Sequence, residues 1–81
     1  MNLIITSSNN NDLDLDEVVS EISKFSNSVR LKRLSENKDF LESSLTINIE
    51  SFDKLIKIRN SLKINYPNLT INFLDDSGIL N

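Results

Sequence analysis

The sequence lacks both cysteine and histidine, and it contains one glycine, one proline and no tryptophan. Without cysteine and histidine the chain cannot build a Cys–His or Ser–His–Asp nucleophilic site, or a zinc site with the usual ligands. A single glycine excludes a glycine-rich phosphate-binding loop. No apolar run approaches the roughly 20 residues that cross a bilayer. We therefore expect no enzyme activity, no cofactor, no metal and no direct membrane insertion.

The length of the chain predicts one small domain that spans residues 1–81. Hydrophobic residues make up 38% of the sequence, which is typical of a globular protein rather than a disordered one. The formal net charge is −3, and this sign argues against a nucleic-acid partner. The first apolar segment, residues 3–5, is too short for a signal peptide, so we expect a cytoplasmic location.

An internal repeat is the most informative pattern in the sequence. Four apolar positions in the first half recur 37 positions later in the second half. The corresponding pairs are Leu15 and Phe52, Val18 and Leu55, Val19 and Ile56, and Phe25 and Leu62. Their i, i+3, i+4, i+10 spacing predicts two helices with one apolar face each, over about 15–25 and 52–63. Asp14 and Ser51 are the predicted N-caps of these helices.

Alternating apolar residues flank each predicted helix and indicate four strands. The expected ranges are about 2–6, 29–35, 40–50 and 69–74, with 6–11 as a connecting loop. The order β-α-β-β-α-β matches the ferredoxin-like plait, an α+β fold with a four-stranded antiparallel sheet. Right-handed crossovers predict the strand order 4-1-3-2, with both helices on one face.

The second face of the sheet is expected to be exposed to solvent and mainly polar. Its predicted residues are Arg30, Lys32, Glu42, Thr46, Asn48, Thr70 and Asn72, together with Ile4, Leu34 and Leu74. The central strands offer no aromatic side chains there on which bases could stack, which argues against RNA binding. A dimer contact through the apolar spots, or through pairing of the second or fourth strand, is favoured instead.

Charge is segregated between the two predicted helices. Residues 7–27 contain five acids and one base, whereas residues 51–66 contain four bases and one acid. One interpretation is mutual attraction across exposed helix faces, which is weak per pair. The other is a bipolar surface that selects a protein partner. The predicted interaction surface comprises Ile4, Arg30, Lys32, Leu34, Lys54, Lys57, Lys63 and Leu74.

Two segments contain oxygen ligands at spacings that could bind a cation. Read from Asn10, oxygen ligands occupy positions 1, 3 and 5 of a calcium loop and Glu21 occupies position 12, but Leu15 stands where such a loop needs glycine. The acids there instead favour a capped helix start. The run 75–78, Asp-Asp-Ser-Gly, is more typical of a solvated turn.

The whole-chain pattern resembles ACT-type regulatory domains, which are small ferredoxin-like plaits that bind amino acids or other small effectors and pair side by side. This resemblance implies a homodimer and a small-molecule effector site at the first strand–helix loop, here Ser7, Ser8, Asn9, Asn10 and Asn11. The second helix, followed by Asn-Tyr-Pro-Asn at 65–68, is also similar to soluble tails that follow transmembrane helices in some bacterial membrane proteins. That likeness implies a membrane tether through a neighbouring segment.

The sequence is compatible with two hypotheses for function. The first is a non-catalytic regulatory or protein-interaction domain that self-associates and senses a small ligand. The second is an acidic inhibitor, of the immunity or anti-defence type, that blocks a basic, nucleic-acid-handling partner. A salt-stable dimer is expected from the first, and a monomer with salt-sensitive binding from the second.

Overall fold

A computed structural model describes residues 1–8 and 13–74 of the chain. The elements follow the predicted order: β1 (Asn2–Ser8), α1 (Leu15–Ser23), β2 (Ser28–Glu36), β3 (Phe40–Asn48), α2 (Phe52–Asn65) and β4 (Thr70–Leu74). The predicted α+β class is confirmed, and the arrangement is consistent with a ferredoxin-like fold. No described helix has the length and apolar character needed to cross a membrane.

The four strands form one antiparallel sheet in the order β2-β3-β1-β4. From the other end this is the predicted order 4-1-3-2. The central strand β1 places Leu3 opposite Leu45 of β3 and Phe73 of β4. The sheet therefore has two edges, formed by β2 and β4, and these become the main candidates for contacts with other chains.

The core lies between one sheet face, called the inner face here, and the two helices. Its buried apolar residues are Leu3, Ile5, Val18, Ile22, Leu45, Ile47, Leu55, Ile58, Leu62 and Leu69. The alternation predicted for the third and fourth strands is confirmed at Leu45, Ile47 and Leu69. Ile71 and Phe73 lie on the same face but are only half-buried, because they belong to an edge strand.

Both predicted helix caps are present. The Asp14 carboxylate accepts hydrogen bonds from the backbone N–H groups of Asp16 and Glu17, at 3.0 and 3.4 Å. The Ser51 hydroxyl accepts from the Lys54 N–H at 3.4 Å. These side chains satisfy donors that have no partner within the first turn of a helix.

Four predicted boundaries are corrected. Helix α2 continues through Asn65, two residues beyond its predicted end at about residue 63. Strand β1 continues through Ser8, so the loop predicted to begin at Thr6 starts later, because residues 6–8 pair with 40–42 of β3. Helix α1 ends at Ser23, before Phe25, and the Ser26 hydroxyl bonds the Ile22 carbonyl at 2.9 Å just beyond this end. Strand β3 ends at Asn48 instead of Glu50.

A β-bulge in β2 corrects the predicted outer face, the sheet face opposite the helices. Leu31 pairs with Leu45 and Arg33 pairs with Ser44, so Lys32 is an extra residue in the ladder. Such an insertion shifts the inward–outward alternation by one position. Leu34 therefore lies opposite Ser43 on the inner face, and its predicted position on the outer face is wrong.

The two outer strands differ in how their helices cover them. At about 1.5 Å per residue, the nine residues of α1 span about 14 Å, whereas the nine residues of β2 extend over about 30 Å. The fourteen residues of α2 span about 21 Å, against about 17 Å for the five residues of β4. Leu31 and Leu34 on β2 are accordingly 45% and 46% exposed.

The longer second helix leaves apolar residues uncovered near its two ends. Phe52, its first residue, is 74% exposed and Ile64, its penultimate residue, is 78% exposed. The internal repeat predicts that Phe52 packs as Leu15 does, and this part of the prediction is wrong. The repeat holds at the next positions, where Val18 and Leu55 are both buried.

Candidate functional site

The predicted interaction residues do not form one surface. Ile4, Arg30 and Leu74 belong to the outer face of the sheet by their register. Lys32 stands at the bulge of the β2 edge, and Leu34 lies on the inner face. The remaining three members, Lys54, Lys57 and Lys63, are on α2 in the opposite layer. A single contact with one partner therefore cannot use the whole predicted set.

The three predicted lysines of α2 contact groups that are close to them in the sequence. Lys54 pairs with Glu50 at 3.1 Å and Lys57 pairs with Asp53 at 3.7 Å, each four residues away. Pairs of this kind at an exposed surface contribute about 0.3–0.5 kcal/mol. Lys63 instead donates to the backbone carbonyls of Pro67 and Leu69, at 3.2 and 2.9 Å, and so ties the end of the helix to the turn before β4.

The two helices are joined by hydroxyl–carboxylate hydrogen bonds. Ser61 of α2 donates to Glu21 of α1 at 2.5 Å, and the Tyr66 hydroxyl donates to Glu17. Lys24 also donates to Glu21, at 2.7 Å, from within the first helix. Among the described residues no ion pair crosses between the helices, and the hydrogen bonds that do cross come from the neutral hydroxyls of Ser61 and Tyr66.

These contacts shift two pKa values. The hydrogen bonds from Lys24 and then from Ser61 hold the pKa of the Glu21 carboxyl below its ordinary value of 4.5. Partial burial, followed by the hydrogen bond to Glu17, raises the pKa of the Tyr66 hydroxyl above 10.0. Glu17 and Glu21 are four residues apart and so share one stripe of α1, a spacing from which a common partner helix could have been inferred.

The predicted effector loop is only partly described. Asn9, Asn10 and Asn11 lie outside the described residues, as does the acidic tail at 75–78. Ser7 and Ser8 end β1 and line a surface groove of about 240 Å³. Its other walls are Leu13 and the turn between α2 and β4, residues 65–69. The structure thus joins the two predicted serines to the Tyr-Pro-Asn turn, which the sequence does not link to them.

A larger groove lies at the other end of the sheet. It has a volume of about 720 Å³ and is lined by Met1 and by the paired ends of β2 and β3, at 28–30 and 46–49. Beside it, Met1, Ile49, Phe52 and Leu55 contribute to a more apolar groove of about 260 Å³. Both are open surface depressions, and neither coincides with the effector loop predicted from the sequence.

The β2 edge is cationic. Arg30, Lys32 and Arg33 are all exposed, and within the described part of the chain none of the three forms an ion pair or a side-chain hydrogen bond. The half-exposed Leu31 and Leu34 lie between and beside them on the inner face. Charged side chains and a bulge are the usual means by which proteins prevent indiscriminate pairing at a sheet edge.

The β4 edge has neither of these protections. Its five residues, Thr-Ile-Asn-Phe-Leu at 70–74, include no charged side chain. Its pairing with β1 runs from Thr70 to Leu74 without a register shift. On the inner face Ile71 and Phe73 are half-buried, and on the outer face Leu74 is 39% exposed. An uncharged, regular edge of this kind can pair with another strand.

Residues 1–8 and 13–74 contain no group of three acidic side chains that could hold a metal ion. The calcium-like spacing from Asn10 begins among residues outside this part. Asp14, which would supply position 5 of that spacing, is the N-cap of α1, and Glu21, at position 12, accepts a hydrogen bond from Ser61 of α2. The carboxylates that can be placed therefore serve the helix terminus and the contact with α2.

Comparison with known proteins assigns no family to the chain. No family model matches it, and no curated protein matches its sequence.

Proposed function

We propose that the chain is a non-catalytic regulatory and protein-interaction domain that acts by self-association through the edge of β4. The observation that supports this most directly is the contrast between the two sheet edges. β4 is uncharged and regular, whereas β2 carries three cations and a bulge. Backbone N–H and C=O groups at an unprotected edge gain hydrogen bonds when a second strand adds to the sheet.

A second copy of the chain suits the β4 edge because the strand is self-complementary. In an antiparallel pair related by a two-fold axis, a register centred on Asn72 uses all five residues of each strand. Ile71 then lies opposite Phe73 of the second copy on the inner face, and Phe73 opposite its Ile71. Apolar cross-strand pairs contribute roughly 0.2–1 kcal/mol each, and no like charges meet in this register.

The acidic-inhibitor alternative is less well supported by the contacts of α1. Its carboxylates would have to face a basic partner, yet Asp14 caps the helix and Glu17 accepts the Tyr66 hydrogen bond. Glu21 accepts from both Lys24 and Ser61. A partner that used these acids would have to displace internal hydrogen bonds, and this lowers the net gain from each new ion pair.

The proposal assigns effector sensing to the groove that contains Ser7 and Ser8. Its volume of about 240 Å³ is below the roughly 300–1,000 Å³ typical of ligand pockets, so the groove suits an effector no larger than an amino acid. Its wall, residues 65–69, leads directly into β4. Ligand contacts there would be made next to the proposed interface.

Sedimentation equilibrium of the full chain tests self-association, measured at about 0.1 M and about 1 M salt. Contacts made by backbone groups and apolar side chains are little screened by salt, so we expect a dimer with a similar dissociation constant at both concentrations. A monomer at every accessible concentration would contradict the proposal. A monomer whose binding to a basic protein falls steeply with salt would favour the inhibitor instead.

Charged substitutions test whether β4 is the interface. Thr70→Lys combined with Asn72→Lys places two cations on exposed outer-face positions, so the core should remain folded. We expect the dimer dissociation constant to rise by about 100-fold, which corresponds to about 2.8 kcal/mol. The matched control, Leu31→Lys with Leu34→Lys on β2, should change it by less than about threefold. The opposite ranking would assign the interface to β2.

A further inference from the structure

The edge of β2, unlike that of β4, carries a cluster of positive charges. Arg30, Lys32 and Arg33 place three positive charges within four residues of a chain whose net charge is −3. None of these three pairs with an acid in the described part of the molecule, while Lys54 and Lys57 on α2 do. Because β2 has a neighbouring strand on one side only, its free edge exposes these three unpaired cations. Such a cluster of positive charges is suited to a negatively charged partner.

We propose that β2 is a docking edge for an extended, acidic segment of a partner protein, which adds to the sheet as a fifth strand. Backbone hydrogen bonds to β2 would hold such a segment, and the three cations would select its acidic residues. The half-exposed Leu31 and Leu34 on the inner face would contact its apolar residues. The recognised chemistry is therefore an alternating acidic–apolar sequence.

The same residues disfavour a second copy of this chain at β2. With the bulge residue left out of the ladder, two two-fold registers place Leu31 opposite a leucine of a second copy on the inner face, either Leu34 or Leu31 itself. In the first register Arg33 lies opposite Arg33 of the second copy on the outer face, and in the second register Arg30 lies opposite Arg33. Like charges directly opposite each other are destabilising in a sheet. The edge thus disfavours its own sequence and favours an acidic one, which is how charge gives specificity.

The test uses an isotopically labelled full chain and a peptide of about eight residues in which Glu and Val alternate, with blocked ends. We expect saturable binding, with the largest amide shifts along residues 28–36. The comparison peptide, in which Lys replaces Glu, should not bind. Absence of binding at about 1 mM of the acidic peptide, or equal binding of the basic peptide, would overturn the proposal.

Two triple variants separate local charge from net charge. Arg30→Glu, Lys32→Glu and Arg33→Glu together should raise the dissociation constant of the acidic peptide at least about tenfold. The control changes Lys54, Lys57 and Arg59 of α2 to Glu, which alters the net charge by the same amount, and should leave the constant within about twofold. An equal loss in both variants would show that only net charge matters and would contradict the proposal.

Two further arms identify the edge and the class of partner. Thr70→Lys with Asn72→Lys should leave peptide binding intact, so a failure of self-association at β4 is distinguishable from a failure here. Amide shifts confined to β4 would overturn the assignment to β2.

The chain should not sediment with vesicles that contain about 30% phosphatidylserine. Sedimentation that depends on the three β2 cations would instead make this edge a lipid-binding surface.

Discussion

The two edges of the sheet belong to matching halves of the fold but differ in every property that governs pairing. β2 is long, bulged and cationic, and its helix is too short to cover it. β4 is short, regular and uncharged, and its helix is longer than the strand. In the two proposals made above, one edge of an approximately symmetric fold accepts any compatible strand, and the other accepts strands of one charge.

The largest expected contrast between the two edges is in the stability lost when one residue is deleted from each strand. Removal of Lys32 takes out the extra residue of the bulge and leaves the faces of its neighbours unchanged, so we expect a cost below about 1 kcal/mol. Removal of Asn72 turns either Ile71 or Phe73 to the outer face, with an expected cost of about 2 kcal/mol or more. Urea unfolding at one protein concentration measures both.

The outcome of the two deletions bears directly on the bulge. If removal of Lys32 were as costly as removal of Asn72, the extra residue would be required for stability, and the description of β2 as a regular strand with one insertion would be wrong.

Replacement of Ser43 tests the packing beneath the β2 side of the sheet. This residue is fully buried opposite Leu34, and its hydroxyl has no hydrogen-bond partner among the described residues. An unsatisfied buried polar group costs about 1–3 kcal/mol. We expect Ser43→Ala to raise the free energy of unfolding by about 1 kcal/mol. The neighbouring Ser44→Ala, on the outer face, should stay within about 0.5 kcal/mol.

Thermal and urea unfolding of the two serine variants provide the measurement. A loss of stability in Ser43→Ala would indicate that its hydroxyl has a partner in the folded protein.

A smaller effect is expected from the contact that joins the two halves. Glu21 has a lowered pKa in the folded protein, so its charged form stabilises the fold above the unfolded value of 4.5. This contribution is lost as the pH falls through the lowered pKa. We expect Glu21→Gln to be less stable than the wild type at pH 7 and to lose less stability on acidification. Urea unfolding at pH values on both sides of 4.5 measures the difference.

A partial version of the same effect is expected in Ser61→Ala, which removes one of the two donors to Glu21 and leaves Lys24 in place. Full acid dependence in Glu21→Gln would show that other carboxyls account for it.

The sequence predicts the element order and the strand order because helical spacing and strand alternation are both regular in it. It predicts the Asp14 and Ser51 caps for the same local reason. The position of Leu34 could not be predicted, because no glycine or proline marks the bulge at Lys32. The extension of β1 through Ser8 depends on pairing with β3, a tertiary effect that overrides the turn preference of serine.

The candidate surfaces were predicted less completely than the fold. The sequence indicates the second and fourth strands as edges for self-association, but only the pairing and burial distinguish them. Charge segregation between the helices is visible in the sequence, whereas the partners that reach Glu17 and Glu21 from the other helix's side are the hydroxyls of Tyr66 and Ser61. Those contacts depend on how the two helices lie side by side.

Disulfide cross-linking of single-cysteine variants tests the central claim most directly, because the chain has no cysteine of its own. In the proposed β4 pair, Asn72 lies opposite Asn72 of the second copy, where Cα atoms are about 4.5–5.5 Å apart. That separation falls within the range of roughly 4.4–6.8 Å for a disulfide. We predict that Asn72→Cys forms a covalent dimer at least about tenfold faster than Arg33→Cys on β2 under mild oxidation. Equal rates, or faster cross-linking of Arg33→Cys, would contradict self-association through β4.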